Sequence, residues 1–261
     1  MDLTDSEFEQ YQTDGYVVVE DVLSPETVER VKSRLREYTH GDREPQTFES
    51  QLEPRVERGD LEVEEEGDAV RKFEGLGMVE EDDVFAEVAN NETIVSVAKQ
   101  LLGPNLKLLR SATMFKPPHI GSEKGYHQDA AYYPIHPMDH VTVWIALDEA
   151  TRENGCMNVV PGGHKAGILG HEAVEYDTDI VIAERDYDED DAIAVPMDAG
   201  SALFTHCLTP HYTAPNTTDD WRRAMIMAYM RSRSRFSKPG EELPPWVDSV
   251  HITGEEFPGC V

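Results

Sequence analysis

Cysteine is scarce in this chain of 261 residues: Cys156, Cys207 and Cys260 are odd in number and fall in no metal-ligand spacing. That count fits reduced thiols better than a disulfide framework, with Cys156 and Cys207 as packing residues. No apolar run approaches the roughly 20 residues of a membrane-spanning helix, and the opening MDLTDSEFEQYQ is acidic where a secretion signal is basic and then apolar. The expectation is a cytoplasmic protein with no membrane span. Lysine is also rare, with 8 Lys and 15 Arg against 52 acidic residues and a formal net charge of −29. Such a surface repels phosphate, which argues against a nucleic-acid partner. The acidic runs 64–66, 80–83 and 186–191 lack the glycine and spaced oxygens of an EF-hand loop. They read as a solvated, halophile-like surface whose self-repulsion is screened by salt.

What is present divides the chain by texture. Thr4-x-x-Glu7 matches a capping box, with Phe8 and Tyr11 on one helical face, and a short strand over 16–19 follows. Ser24-Pro25 opens a second helix with an apolar stripe of Val28, Val31 and Leu35. Residues 40–70 are polar and acidic, the composition of an irregular surface insertion. Asn91 caps a third helix carrying Ile94, Val95, Ala98, Leu101 and Leu102, which Gly103-Pro104 stops. Short β-like runs then follow at 106–115, 141–147, 157–160, 202–206 and 224–230, separated by Gly, Pro and Asn. The pattern predicts a mainly β fold with flanking α-helices: a jelly-roll, cupin-like barrel, also called a double-stranded β-helix. No repeat or linker breaks the chain. One domain over 1–261 is expected, its helical part about 1–103 and its jelly-roll core about 104–235.

Two His-x-Asp pairs occur, His40-Gly41-Asp42 and His127-Gln128-Asp129, and a chain with ten histidines and 22 aspartates should contain about one by chance. Placement separates them. His40 follows a helix into a polar loop. His127 and Asp129, in GYHQDAAYYP, enter the β-rich half, where residues i and i+2 point to one face of an extended chain and can serve one ion. A catalytic metal needs a third ligand. His206 lies within a strand pattern, and His211 lies just beyond it with ten residues between it and Arg222. Two histidines and a carboxylate with open positions form the facial triad of non-haem Fe(II) oxygenases, although the same set suits zinc. A bidentate arginine on a neighbouring strand, Arg222 or Arg223, would hold a cosubstrate carboxylate.

Five segments in order resemble the phytanoyl-CoA dioxygenase family of Fe(II)- and 2-oxoglutarate-dependent oxygenases: YQTDGYVVVEDVLSPETVERVKSRL, LLGPNLKLLRSATMFKPP, YHQDAAYYP, NGCMNVVPGGH and GSALFTHCLTPHYTAPNTTDDWRRA. The resemblance implies His127, Asp129 and His211 as iron ligands. It implies Arg222 on the distal carboxylate of 2-oxoglutarate, helped by Thr213, with Gln128, Trp144, Met114 and Lys72 at the cosubstrate pocket. His211-Tyr212-Thr213 stands where His-Gly-Ser is usual, and Gly163 where Ser is usual. The implied reaction uses Fe(II), 2-oxoglutarate and O2, releases succinate and CO2, and hydroxylates a C–H bond of a small molecule of acyl-CoA or lipid-like kind. Related halogenases lack the carboxylate ligand, so Asp129 favours hydroxylation. Tyr132 and Tyr133 are candidates for the substrate pocket or for plain core, and His164 for a rim residue. Two rival readings use the same pocket: a non-catalytic cupin-like binding protein, and a zinc hydrolase, which the lack of a His-Glu-x-x-His helix disfavours. Neither the substrate nor the oligomeric state is written in the sequence.

Overall fold

The computed structural model of the chain describes residues 1–133, 135–174, 179–183, 189–236 and 249–260. Pro134 and the first part of the 186–191 acidic run lie outside the described residues. The leading helices form as their end signals dictate. The Thr4 hydroxyl accepts from the Glu7 amide while the Glu7 carboxylate accepts from the Thr4 amide, capping helix Asp5–Asp14. Gly15 ends that helix at φ 82, and a Cβ there would meet the Thr209 hydroxyl at 2.4 Å. Ser24 caps Pro25–Thr39, which buries Val28, Val31, Leu35 and Tyr38, and Asn91 caps Glu92–Leu102 through the amides of Thr93 and Ile94. Each fully buried Val, Leu or Ile contributes about 1.5–3 kcal/mol, so these apolar stripes dominate the docking of the helices.

They dock on one face of a large antiparallel sheet. Its strand order is Tyr16–Val19, Ala202–His206, Val141–Ala146, Arg222–Arg231, Leu106–Lys116, Val70–Glu74 and Glu49–Leu52, with Val250–Thr253 also pairing to Leu106–Lys116. Alternation divides the strands cleanly. Val141, Val143 and Ile145 join Met225, Met227 and Tyr229 in the core beneath the helices. Trp144, Ala146, Ala224 and Ile226 face the other way, into a second apolar cluster with Met157, Val159 and Val195 of the small sheet. That small sheet runs Ile193–Val195, Met157–Val159, His211–Thr213 and Lys124–His127. The result is a mainly β jelly-roll with flanking helices. Among the described residues no ladder joins the two sheets, so the jelly-roll is built as a pair of open sheets facing each other.

The 40–70 segment departs from the sequence reading more strongly. It holds the edge strand Glu49–Leu52 and a helical turn Pro54–Glu57, and it buries Phe48 and Glu53. An edge strand paired on one side needs no apolar alternation, which is why its composition looked like loop. Cys156 and Cys207 are buried and, like Cys260, unbridged.

Candidate metal centre

Strand pairing assembles the cluster. His211 lies directly opposite His127 in the ladder between His211–Thr213 and Lys124–His127, and their ring centroids are 4.2 Å apart. Directly opposed residues bring their side chains together on one face. Asp129 follows two residues later, at the start of a single 3-10 turn, Asp129–Ala131, whose Ala130 amide donates to the Cys207 carbonyl. Its Oδ1 stands 3.8 Å from His127 Nε2 and 3.9 Å from His211 Nε2. One donor atom from each of the three buried residues lies within 4.8 Å of the others, a spacing that can hold one metal ion.

The hydrogen bonds prepare those donors. His127 Nδ1 donates to the Gly125 carbonyl at 2.8 Å and His211 Nδ1 to the Thr209 carbonyl at 2.9 Å. Protonation at Nδ1 leaves each Nε2 lone pair turned toward Asp129, the arrangement in which outer hydrogen bonds orient ligand imidazoles. Burial, reinforced by His211 and Lys124, pushes the His127 pKa well down and keeps its ring neutral. Burial works against ionisation of Asp129, but His211, His127 and Arg110 outweigh it and hold the carboxyl well below its usual range.

The same cavity contains Arg222, Thr213, Trp144 and Met114. Arg222 begins its strand, 2 % exposed, with its guanidinium 5.5 Å from the Trp144 ring. Its Nε and Nη1 find no hydrogen-bond partner among the described residues, and burial lowers its pKa to about 10, so it stays charged at neutral pH. A buried guanidinium with unused donors is costly unless an anion completes it. The orphaned donors thus fit a carboxylate ligand in the cavity.

Other expected residues fall elsewhere. Gln128 turns away from the cavity: its amide donates to the Gly167 and Leu208 carbonyls and accepts from the Leu169 amide. Alternation requires this, because its neighbours on both sides point inward. Lys72 is paired across the sheet with Met114, yet its ammonium binds Glu74 at 2.5 Å and lines a separate outer groove. Arg223 points to the opposite face and grips Asp148 through Nε and Nη2 at 2.7 and 2.9 Å. His206 packs against His164 and Tyr11, outside the metal cluster. Tyr212 faces outward and packs on Tyr126, ring centroids 4.3 Å apart, so the bulk at this position never enters the cavity. Tyr132 and Tyr133 line the outer groove.

Four further cations went unread in the sequence: Arg71, Arg110, Lys116 and Lys124 all line the inner cavity. Arg110, Met114 and Lys116 share one face of the Leu106–Lys116 strand, so alternation from Met114 is the signal that could have found two of them.

The model of the phytanoyl-CoA dioxygenase (PhyH) family matches residues 11–224. A phytanoyl-CoA dioxygenase domain-containing protein 1 from Danio rerio is 28% identical over 93% of this chain and 97% of its own length. Among solved structures, a non-heme monooxygenase, ThoJ in its apo form, superposes with TM-score 0.73 at 24% identity over 97% of this chain and 85% of that one. The epimerase SnoN in complex with Fe3+, alpha ketoglutarate and nogalamycin RO gives 0.69 at 22% identity over 97% and 96%. The chain belongs to the phytanoyl-CoA dioxygenase family, whose members are non-haem iron, 2-oxoglutarate-dependent oxygenases.

Proposed function

We propose that this protein hydroxylates a C–H bond of a small molecule, with His127, Asp129 and His211 holding Fe(II) and with 2-oxoglutarate and O2 as cosubstrates. The observation that carries this reading is the sharing of one buried cavity by the His–Asp–His cluster and the orphaned donors of Arg222. When bound, iron and 2-oxoglutarate supply the activated oxygen, with release of succinate and CO2.

The protein's part is binding, orientation and protection. His127 and His211 present Nε2 because their Nδ1 protons are engaged by backbone carbonyls. Asp129 supplies a carboxylate that stays ionised. Arg222 takes the distal carboxylate of 2-oxoglutarate, and the Thr213 hydroxyl donates to the same group. Trp144 and Met114 form apolar walls that exclude water from the reacting centre. Tyr132 and Tyr133 line the substrate's approach. The N-terminal helices and the sheets work as one domain, since Val31, Leu35 and Ile94 share a core with Val143 and Met227. Among the described residues no helix is long and apolar enough to cross a membrane.

The test is succinate formation from 2-oxoglutarate by protein reconstituted with Fe(II) in air. Wild type should form succinate, His211→Ala should form none, and Arg222→Ala should need far more 2-oxoglutarate. Succinate formation that survives in His211→Ala, or is absent from wild type, would contradict the assignment.

A further inference from the structure

Two cavities meet beside the metal cluster. The inner one holds the cluster and Arg222. The outer groove, about 870 Å³, is of small-molecule size and is lined by Leu76, Leu109, Tyr132 and Tyr133 among others. Among the described residues only Arg110 and Lys124 line both, so these two cations stand at the junction between the groove and the metal cluster. That is unexpected in a chain of net charge −29.

The two cations are committed differently. Lys124 bonds the Asp179 carboxylate at 2.6 Å and the Tyr132 hydroxyl at 3.2 Å. Arg110 donates only its Nε, to Glu74 at 2.8 Å, and Glu74 also takes the Lys72 ammonium at 2.5 Å. One carboxylate thus serves two cations, and Glu49, Glu80 and Asp179 also line the groove. Both terminal nitrogens of Arg110 are without a partner among the described residues. The guanidinium is 11% exposed, is held at Nε by Glu74, which lines the same groove, and shares the inner cavity with Asp129. A planar fork held on one side with two donors left over matches a carboxylate or another planar pair of anionic oxygens.

We propose that Arg110 is the substrate-binding residue for an anionic headgroup, and that the substrate is a small organic oxyanion, a carboxylate or phosphonate with an apolar body. This deepens the oxygenase reading above and rests on it. The apolar part lies along Leu76, Leu109, Tyr132 and Tyr133, and the anion sits on Arg110 at the junction. The C–H bond presented to the metal is therefore one close to the charged group rather than at the far end of the chain.

The experiment uses full-length protein loaded anaerobically with Mn(II) and saturating 2-oxoglutarate, with hexanoate, hexylphosphonate and the neutral hexanamide as probes. Paramagnetic broadening of the probe protons reports approach to the metal. Hexanoate or hexylphosphonate should be broadened at concentrations at least tenfold below those hexanamide requires, and whichever binds more tightly identifies the anion. Arg110→Gln should weaken the anionic probe at least tenfold, with Arg110→Lys recovering part of the loss, while 2-oxoglutarate still titrates as in wild type. Equal broadening by hexanamide, no broadening by either anion, or displacement of 2-oxoglutarate by the probes would overturn the proposal. So would an Arg110→Gln variant that loses 2-oxoglutarate instead of the probe. In each of those cases normal loading with Mn(II) and 2-oxoglutarate leaves the oxygenase reading standing, and failure to load would count against that reading itself.

Discussion

The chain contains the same three-residue pattern twice, and only one copy belongs to a metal cluster. His40 caps the C-terminus of a helix, Gly41 follows at φ 80, and Asp42 is exposed, so the histidine and the aspartate do not share a face. Its ring lies 3.7 Å from Asp68 and 3.8 Å from Glu65, both more than half exposed. His127 and Asp129 are buried, emerge from an extended strand, and meet His211 directly across a ladder. A His-x-Asp pair therefore becomes a ligand set through three additions: extended backbone, burial, and a third donor delivered by the neighbouring strand. Composition alone supplies the first two residues at about the chance rate.

The sharpest way to break this comparison is to remove ligands on each side of it. His211→Ala or Asp129→Ala should lower Fe(II) affinity by more than about 100-fold, beyond the loss typical of an outer hydrogen-bond partner, while His40→Ala and Asp42→Ala leave it unchanged. Calorimetric titration under anaerobic conditions reads this directly, and equal losses on both sides would erase the distinction.

The arginine pair gives the next largest effect. Arg222→Ala should weaken 2-oxoglutarate binding roughly 10- to 100-fold, the value of charge-assisted hydrogen bonds in a buried site. Arg223→Ala, which breaks only the half-buried pair with Asp148, should leave that affinity alone and cost about 1 kcal/mol of stability or less.

A buried histidine should also give stability a pH dependence. His140 is 1 % exposed, neither ring nitrogen has a hydrogen-bond partner among the described residues, and burial lowers its pKa from 6.5 to about 4. The unfolded chain takes up this proton first as pH falls. Stability is accordingly complete above pH 6.5 and is lost progressively between 6.5 and about 4, by up to about 3 kcal/mol. His206, also lowered to about 4, steepens the same slope. Denaturant unfolding of His140→Leu should show a flatter pH profile than wild type, and an unchanged slope would contradict the burial effect.

Smaller effects test the surroundings. Tyr212→Gly restores the residue the family likeness expects, yet it removes the contact with Tyr126 and frees the backbone, so it should cost about 1–2 kcal/mol in thermal unfolding and leave metal binding intact. Screening the acidic surface should raise the melting temperature by a few degrees between low and molar KCl. A melting temperature indifferent to salt would refute the halophile-like reading of the −29 charge.

Much of this was legible because the relevant signals are local. The capping box at Thr4, the Ser24-Pro25 start and the Asn91 cap all lie within four residues of the ends they set. The 202–206 run coincides with its strand, and the runs 106–115 and 224–230 fall inside longer ones. His127 and Asp129 were readable from period-two geometry, whereas His211 over His206 came from family likeness, since both lie near strands.

The misses have physical causes. Gln128 was assigned to the pocket by likeness although alternation points it outward, and geometry prevailed. Lys72 pairs across the sheet with a cavity residue, but Glu74, two positions along the same face, captures its charge. The basic lining went unread because Arg71, Lys124 and the strand carrying Arg110 and Lys116 come from separated parts of the chain, amid an overwhelming acidic background. The open sheets were hidden for a similar reason: alternation reveals which face a residue takes, not whether the outermost strands meet.

His127, Asp129 and His211 should together hold an iron that 2-oxoglutarate can chelate. The most direct measurement is anaerobic titration of Fe(II) and then 2-oxoglutarate into the metal-free protein, followed by visible absorption. The account predicts a weak charge-transfer band that appears only when both are present, disappears in His211→Ala and persists in His40→Ala. No band in wild type, or one that survives loss of His211, would contradict it.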